Sequence, residues 1–99
     1  MDKELAIHAA DVLKAVAHPL RLQIIELLET GELSVGEIVE ALGEKQAITS
    51  QQLNLMKNKG VLASRREGAR VYYRVQDPSV IKVLGCVYDH CNTRKRGRR

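Results

Sequence analysis

The fold is decided by residues 34–75, which read SVGEIVEALGEKQAITSQQLNLMKNKGVLASRREGARVYYRV. Ser34 is followed three residues later by Glu37, which is the spacing of a capping box at the start of a helix. Gly43 closes this short helix, and a second helix is predicted over residues 46–58. Two short helices joined by a tight turn that contains glycine form a helix-turn-helix. The residues that recur with helical spacing on the inner side of the second helix are Thr49, Leu53 and Met56.

A β-hairpin is predicted directly after the second helix. Residues 61–67 and 70–75 have the composition of strands, and Gly68-Ala69 lies between them. Four arginines surround this turn, although exposed ion pairs contribute only about 0–1 kcal/mol each and a hairpin does not need them for stability. A basic hairpin in this position is the wing of a winged helix. The four arginines are Arg65, Arg66, Arg70 and Arg74.

Three further helices are predicted around this centre, over residues 3–17, 19–30 and 78–92, each with an apolar stripe at helical spacing. The order of elements is α-α-α-α-β-β-α, so the fold class is mainly α with a small antiparallel β-hairpin. The chain is expected to form one winged helix-turn-helix domain over residues 1–93. Residues 94–99 carry five basic side chains and no core-forming residue, which predicts a disordered basic tail.

Charge is distributed unevenly along the 99-residue chain, whose net charge is +4. Residues 1–44 carry nine acidic and three basic side chains, whereas residues 45–74 carry seven basic and one acidic side chain. A basic face with an acidic back orients a protein toward a polyanion, although a solvated charged surface is the alternative interpretation. The chain has three Tyr and no Phe or Trp, which argues against a single-strand binder that stacks bases on aromatic rings.

The outer side of the helix over residues 46–58 carries short amides and hydroxyls beside a small alanine. Such a face suits the major groove, which is about 12 Å wide, and Gln or Asn can both donate to and accept from an adenine edge. Alone, these residues would also fit an ordinary polar helix face, and the arginines would fit charge protection of an edge strand. Their adjacency favours binding of double-stranded DNA. The predicted DNA-contacting residues are Gln46, Ala47, Ser50, Gln51, Asn54, Lys57, Arg65, Arg66 and Arg70.

Five segments form a specific combination: VAHPLRLQII (16–25), GELSVGEI (31–38), QAITSQQL (46–53), GVL (60–62) and REGARVYYRV (66–75). Together they resemble the ArsR/SmtB family of bacterial sensor repressors over about residues 8–92. The resemblance implies a homodimer that pairs through its first and last helices and presents both recognition helices to operator DNA. It also implies release of the DNA by a metal, a metalloid or a sulfur species. The positions that match the family's DNA-facing residues are Gln46, Ala47, Ser50 and Gln51 on the helix and Arg70 on the wing.

The family's best-known metal sites are incomplete in this sequence. Ser34 and Gly36 stand where arsenic and lead sensors carry Cys-x-Cys. Of the positions that match the zinc-type site, only two can ligate a metal. Those positions are Asp77, Ser79, His90 and Thr93.

Cys86, His90 and Cys91 remain as the candidate effector site on the last helix. Cys86 and His90 share a helix face, and thiolate with imidazole suits zinc, copper(I) or a metalloid. The two cysteines are alternatively a redox pair between subunits, since they lie about 140° apart on one helix and an intrahelical disulfide is unfavourable. A third interpretation makes Cys86 a small buried residue and Cys91 a surface thiol. No cofactor is expected beyond such a thiophilic metal or metalloid.

The sequence disfavours enzymes, membrane-spanning proteins and secreted proteins as alternatives. An enzyme is not expected, because there is no Gly-rich phosphate loop, no paired-carboxylate site and no nucleophile–base motif beyond the spacing of Cys86 and His90. No apolar run approaches the ~20 residues of a membrane span, and the N-terminus lacks a signal-peptide pattern, so a cytoplasmic location is expected. The alternative to DNA binding is a winged helix that contacts protein and has no effector site.

Overall fold

The computed structural model describes the backbone of residues 1–97 and the side chains of residues 1–92. It confirms a mainly α fold with a small antiparallel sheet. The elements are α1 (Lys3–Val16), α2 (Pro19–Leu27), a 3-10 turn (Leu28–Thr30), β1 (Leu33–Ser34), α3 (Val35–Leu42), α4 (Gln46–Asn58), β2 (Leu62–Glu67), β3 (Arg70–Val75) and α5 (Pro78–Gly97).

The sheet has three strands in the order β1-β3-β2, rather than the two strands of the predicted hairpin. The added strand β1 pairs antiparallel with β3, so that Leu33 lies opposite Tyr73 and Ser34 opposite Tyr72. A strand of two residues carries no alternation of apolar and polar positions, which is why the sequence pattern does not show it. Its effect is to attach the wing to the start of α3.

The helix-turn-helix forms as predicted. The hydroxyl of Ser34 accepts from the Glu37 backbone N–H at 3.1 Å, and the Ser34 N–H donates to the Glu37 carboxylate at 2.8 Å. Gly43 ends α3 at φ 70°, in the left-handed region that glycine enters without strain. Helix α4 occupies the predicted residues 46–58.

One apolar core joins all the helices to the sheet. Helix α4 contributes Leu53 and Met56, which are fully buried. The same core cluster contains Ile24 of α2 and Ile38 of α3. This packing fixes the rotation of α4 about its axis, because its apolar side is held inward. The opposite side of α4 is therefore directed to solvent.

Helix α5 is anchored to the rest of the chain by apolar packing and by a hydrogen bond. Leu84 is buried in the core, and the Tyr88 hydroxyl donates to the backbone carbonyl of Leu22 at 3.1 Å. The backbone stays helical to Gly97, so residue 93, the predicted end of the domain, is not the end of the helix. Residues 93–97 contain no proline, and Gly97 is the first residue that favours termination. The side chains of the basic tail, and all of Arg98 and Arg99, lie outside the described residues.

The capping box makes the fold sensitive to acid. Hydrogen bonds from the backbone and side chain of Ser34 hold the pKa of Glu37 below its ordinary value of 4.5. A depressed pKa contributes stability above pH 4.5 that is lost as the pH falls through the folded-state pKa. Glu37→Gln keeps a hydrogen-bond acceptor but does not titrate. We expect the unfolding free energy of this variant, measured by urea denaturation from pH 6 to about 2, to fall less steeply with acid than that of the native chain.

The matched control is Glu40→Gln, an exposed change on the same helix. It should retain the native acid dependence. Identical slopes for the Glu37 variant and the native chain would show that the capping carboxylate does not couple folding to protonation.

Candidate nucleic-acid interface

The outward side of α4 carries the predicted contact residues. Thr49, Leu53 and Met56 are buried on the inward side, as their spacing predicts. The six predicted residues of this helix are all on the surface: Ser50 is half-buried, and the others are exposed. The exposed residues are Gln46, Ala47, Gln51, Asn54 and Lys57.

The wing carries its arginines around a tight turn. Glu67 pairs with Arg70, which leaves only Gly68 and Ala69 in the loop. Gly68 takes φ 63°, a value that two-residue hairpin loops require and that glycine supplies without strain. Arg66 and Arg70 are exposed on either side of this turn.

Helix α4 and the wing border the same open clefts, so four of the six predicted residues of α4 share a surface with arginines of the wing. The other two, Ala47 and Gln51, are exposed but line neither cleft. The larger cleft, of about 670 Å³, is lined by Gln46, Ser50 and Asn54 of α4 and by Arg70 of the wing. A smaller cleft of about 310 Å³ lies between the later part of α4 and strand β2. Its lining includes Asn54, Lys57, Ser64, Arg65 and Arg66.

Tyr73 lies between the two clefts and lines both. Its hydroxyl donates to the side-chain oxygen of Asn54 at 3.4 Å, and burial raises the pKa of the tyrosine. Because this hydrogen bond uses the oxygen of the Asn54 amide, its NH₂ group remains as the donor that Asn54 can offer to a ligand. Tyr73 is not among the predicted contact residues, although Val71, Tyr73 and Val75 have the two-residue spacing of side chains on one face of a strand.

The charge of this surface changes from acidic at α3 to basic at the wing and the end of α4. Glu37 and Glu40 line the α3 wall of the larger cleft, and Arg70 stands opposite, where its charge contributes to lowering the pKa of Glu37. Basic side chains border the smaller cleft instead. A phosphate backbone would be attracted to the wing and the end of α4, and repelled by the start of α3.

Arg65, one of the predicted DNA-contacting residues, forms hydrogen bonds with carboxylates of the protein itself. The Arg65 guanidinium donates to the carboxylates of Glu32 and Glu67, and it lies over the Tyr72 ring with 4.6 Å between its central carbon and the ring centroid. Glu32 is not recognisable from the sequence, since no short-range motif relates it to Arg65. The structure thus places Arg65 on the wing but in an ion-pair network.

The three candidate effector residues lie on α5. Cys86, His90 and Cys91 are all exposed in the single chain, so Cys86 is not buried within one copy of the protein. Within the described part of the chain, no three His, Cys, Asp or Glu side chains come together in a way that could hold a metal ion.

Comparison with known proteins identifies the family. Residues 18–64 match the model of the bacterial regulatory proteins of the arsR family. A biofilm growth-associated repressor of Xylella fastidiosa is 33% identical over 79 residues, which cover 80% of this chain and 69% of that protein. The chain belongs to the arsR family of bacterial regulatory proteins. This confirms the resemblance, and it confirms the prediction that the protein is a transcriptional regulator rather than an enzyme.

Solved structures place this arsR-family chain among winged helix-turn-helix proteins. The solution structure of Mb0332 from Mycobacterium bovis, described as a homodimeric winged helix-turn-helix DNA-binding domain, has a TM-score of 0.83 and 33% identity. The match covers all of this chain and 94% of that one. Reduced HlyU from Vibrio cholerae has a TM-score of 0.81 and 32% identity, and covers 87% and 94% of the respective chains. Among the described residues, no helix is long and apolar enough to cross a membrane.

Proposed function

We propose that this arsR-family regulator is a homodimeric repressor that inserts α4 into the major groove of operator DNA and places its wing along the adjacent backbone. The observation that carries the proposal is the shared surface: amide and hydroxyl side chains of α4 and arginines of the wing border the same clefts. Polar groups on a helix supply base contacts, and arginines on a neighbouring hairpin reach phosphates or a narrow minor groove.

The proposed roles follow from position. Residues in the first half of a recognition helix contact base edges, so Gln46, Ala47, Ser50 and Gln51 are assigned to base reading. Asn54 is oriented by Tyr73 at the border of both clefts and is assigned to a base or sugar contact. The residues assigned to the phosphate backbone are Lys57, Arg66 and Arg70.

Dimerisation is supported by exposed apolar side chains on the terminal helices. Leu5 and Leu13 of α1 are 52% and 54% exposed, and Val83 and Val87 of α5 are 50% and 46% exposed. Val83 and Val87 are one helical turn apart on one face. Burying such side chains against a second copy removes apolar surface from water at about 25 cal/mol per Å². The homodimeric state described for Mb0332 supports a homodimer here as well.

Selection of binding sites from random duplexes tests the proposal. We expect the protein to enrich a site with two-fold symmetry, whose half-sites are about 10 base pairs apart or a multiple of that distance. Affinity for the selected duplex should fall steeply as the salt concentration rises. Absence of duplex binding at low salt would contradict the proposal and favour a winged helix that contacts protein.

The effector is proposed to act on α5. Cys86, His90 and Cys91 are accessible, and the helix that carries them also carries the apolar face formed by Val83 and Val87. A metal ion, a metalloid or a disulfide that joined two copies at these residues would change the pairing of α5 and thereby the spacing of the two α4 helices. The solved relative HlyU is described in a reduced form, which is the reason to test a redox mechanism beside a metal mechanism here.

Cysteine variants distinguish metal binding from thiol oxidation as the mechanism by which the effector acts. Cys86→Ser/Cys91→Ser should bind the selected duplex like the native protein but should no longer respond to the effector. Titration with zinc, copper(I) or arsenite identifies a metal route, and release by peroxide or polysulfide that dithiothreitol reverses identifies a thiol route. Retention of the native response by the double variant would remove the cysteines from the proposal.

A further inference from the structure

Arg65 forms a network that crosses the whole sheet. Its Nε lies 3.0 and 3.1 Å from the two carboxylate oxygens of Glu32, and its Nη2 donates to the same carboxylate. Its Nη1 donates to Glu67 at 2.6 Å. All three guanidinium nitrogens therefore donate to carboxylates of the protein itself. We call Arg65, Glu32, Glu67 and Tyr72 the wing clasp.

The clasp connects three separate parts of the chain. Arg65 lies on β2, opposite Tyr72 on β3, and Tyr72 in turn lies opposite Ser34 on β1. The Arg65 side chain passes over the Tyr72 ring and ends at Glu32, just before β1. Ser34, two residues after Glu32, is the N-cap of α3. One side chain thus joins the middle of the wing to the start of the helix-turn-helix.

The geometry distinguishes this network from an ordinary surface ion pair. Isolated exposed pairs contribute little, but a bidentate arginine–carboxylate contact within a network is better ordered. The hydrogen bond from Arg65 is the main cause that lowers the pKa of Glu32, and Glu32 is the main cause that raises the pKa of Arg65. The other attachment of the wing at this edge is β1, a strand of only two residues.

We infer that Arg65 is a wing-positioning residue rather than a DNA contact, and that Glu32 is its required partner. The inference rests on the proposed DNA-binding function and specifies how its wing is held. Two carboxylates beside the guanidinium repel a phosphate, so a role for Arg65 at the DNA backbone is disfavoured. With the clasp closed, Arg66 and Arg70 at the tip are held at a fixed angle to α4. With the clasp open, the tip must be ordered when DNA binds, which weakens binding.

Glu32→Gln tests the clasp because its expected effect on DNA affinity is opposite to the effect expected from the change in net charge alone. Removing a negative charge from a DNA-binding protein normally strengthens its binding to DNA. The clasp predicts the opposite, a loss of about 3- to 10-fold in affinity for the selected duplex, because the loss of a charged hydrogen-bond partner outweighs the gain in net charge. The matched control is Glu29→Gln, which removes the same charge three residues away at an exposed position. It should bind as tightly as the native protein or more tightly.

Arg65→Gln distinguishes positioning from phosphate contact. As a positioning residue it should lower affinity without changing the slope of log K against log salt, whereas loss of a phosphate contact would reduce that slope by about 1. The double variant Glu32→Gln/Arg65→Gln should bind no more weakly than Arg65→Gln alone, because both changes open the same clasp.

Amide hydrogen exchange gives a readout that needs no DNA. In the free protein, Glu32→Gln should accelerate exchange in β2 and β3 and leave exchange in α4 unchanged. The inference is overturned if Glu32→Gln binds DNA as tightly as the Glu29 control, if Arg65→Gln flattens the salt dependence, or if exchange in the wing is unchanged. Failure of the native protein to bind any duplex would instead refute the proposed function, and the exchange experiment would still decide whether the clasp exists.

Discussion

Val83→Glu is expected to convert the regulator into monomers and to weaken binding to its selected duplex by about 10²- to 10⁴-fold, the range over which avidity is lost. Val83 is 50% exposed in the single chain, on the face of α5 that also carries Val87. At a two-fold interface each substitution occurs twice, so two carboxylates would be brought together in an apolar contact. A monomer then binds a single half-site and loses the avidity that two linked half-site contacts provide.

Sedimentation velocity and fluorescence anisotropy measure the two parts of this expectation. The matched control is Lys82→Gln, which changes the net charge by the same amount at the neighbouring exposed position, about 100° away on the helix. The control should remain dimeric and should bind with nearly native affinity. If Val83→Glu sediments as a dimer and binds like the control, α5 does not form the interface.

Gln51→Ala is expected to weaken binding to the selected duplex by about 5- to 150-fold, which corresponds to about 1–3 kcal/mol for a well-made base contact. Binding to an unrelated duplex of the same length should change little, because that affinity comes from the phosphate backbone. Gln51 is exposed on α4, on the side opposite to the buried Leu53. Its loss should therefore reduce the preference between sequences rather than the affinity for DNA in general.

Two comparison variants make this expectation specific. Gln23→Ala removes an exposed glutamine from α2 and should affect neither duplex. Arg70→Ala should weaken binding to both duplexes and should reduce the slope of log K against log salt by about 1, as expected for a phosphate contact. Equal losses on the two duplexes for Gln51→Ala would remove its assignment as a base-reading residue.

Local signals predicted the elements that form the candidate interface. The spacing of Thr49, Leu53 and Met56 fixed which side of α4 is buried, and therefore which side is exposed. The pair Ser34 and Glu37 marked the start of α3 because both hydrogen bonds of a capping box lie within four residues. Patterns of this kind depend on neighbours in the chain and can be recognised in a single sequence.

Contacts between distant residues were not predictable in the same way. Glu32 lies 33 residues from Arg65, and Asn54 lies 19 residues from Tyr73. Both contacts depend on the register of the sheet and on how closely α4 packs against it, and neither is set by local spacing. For this reason Arg65 was grouped with the DNA-contacting arginines on composition alone.

The first helix shows a further limit of periodicity. Its apolar stripe shows that one face is apolar, and in the single chain Leu5 and Leu13 on that stripe are about half exposed, whereas Ala15 and Val16 are buried. Periodicity indicates that a helix face is apolar and favours burial, but it does not show whether that face packs against the same chain or against another chain. In the proposed arrangement, it packs against a second copy.

The most direct test of the account follows backbone amide resonances of the native dimer as its selected duplex is added. We predict that the largest shifts occur together in α4, from Gln46 to Lys57, and around the wing tip at Gly68, because both elements face one DNA molecule. Shifts confined to only one of these elements, or centred on α2, would contradict the claim that the helix and the wing bind DNA together.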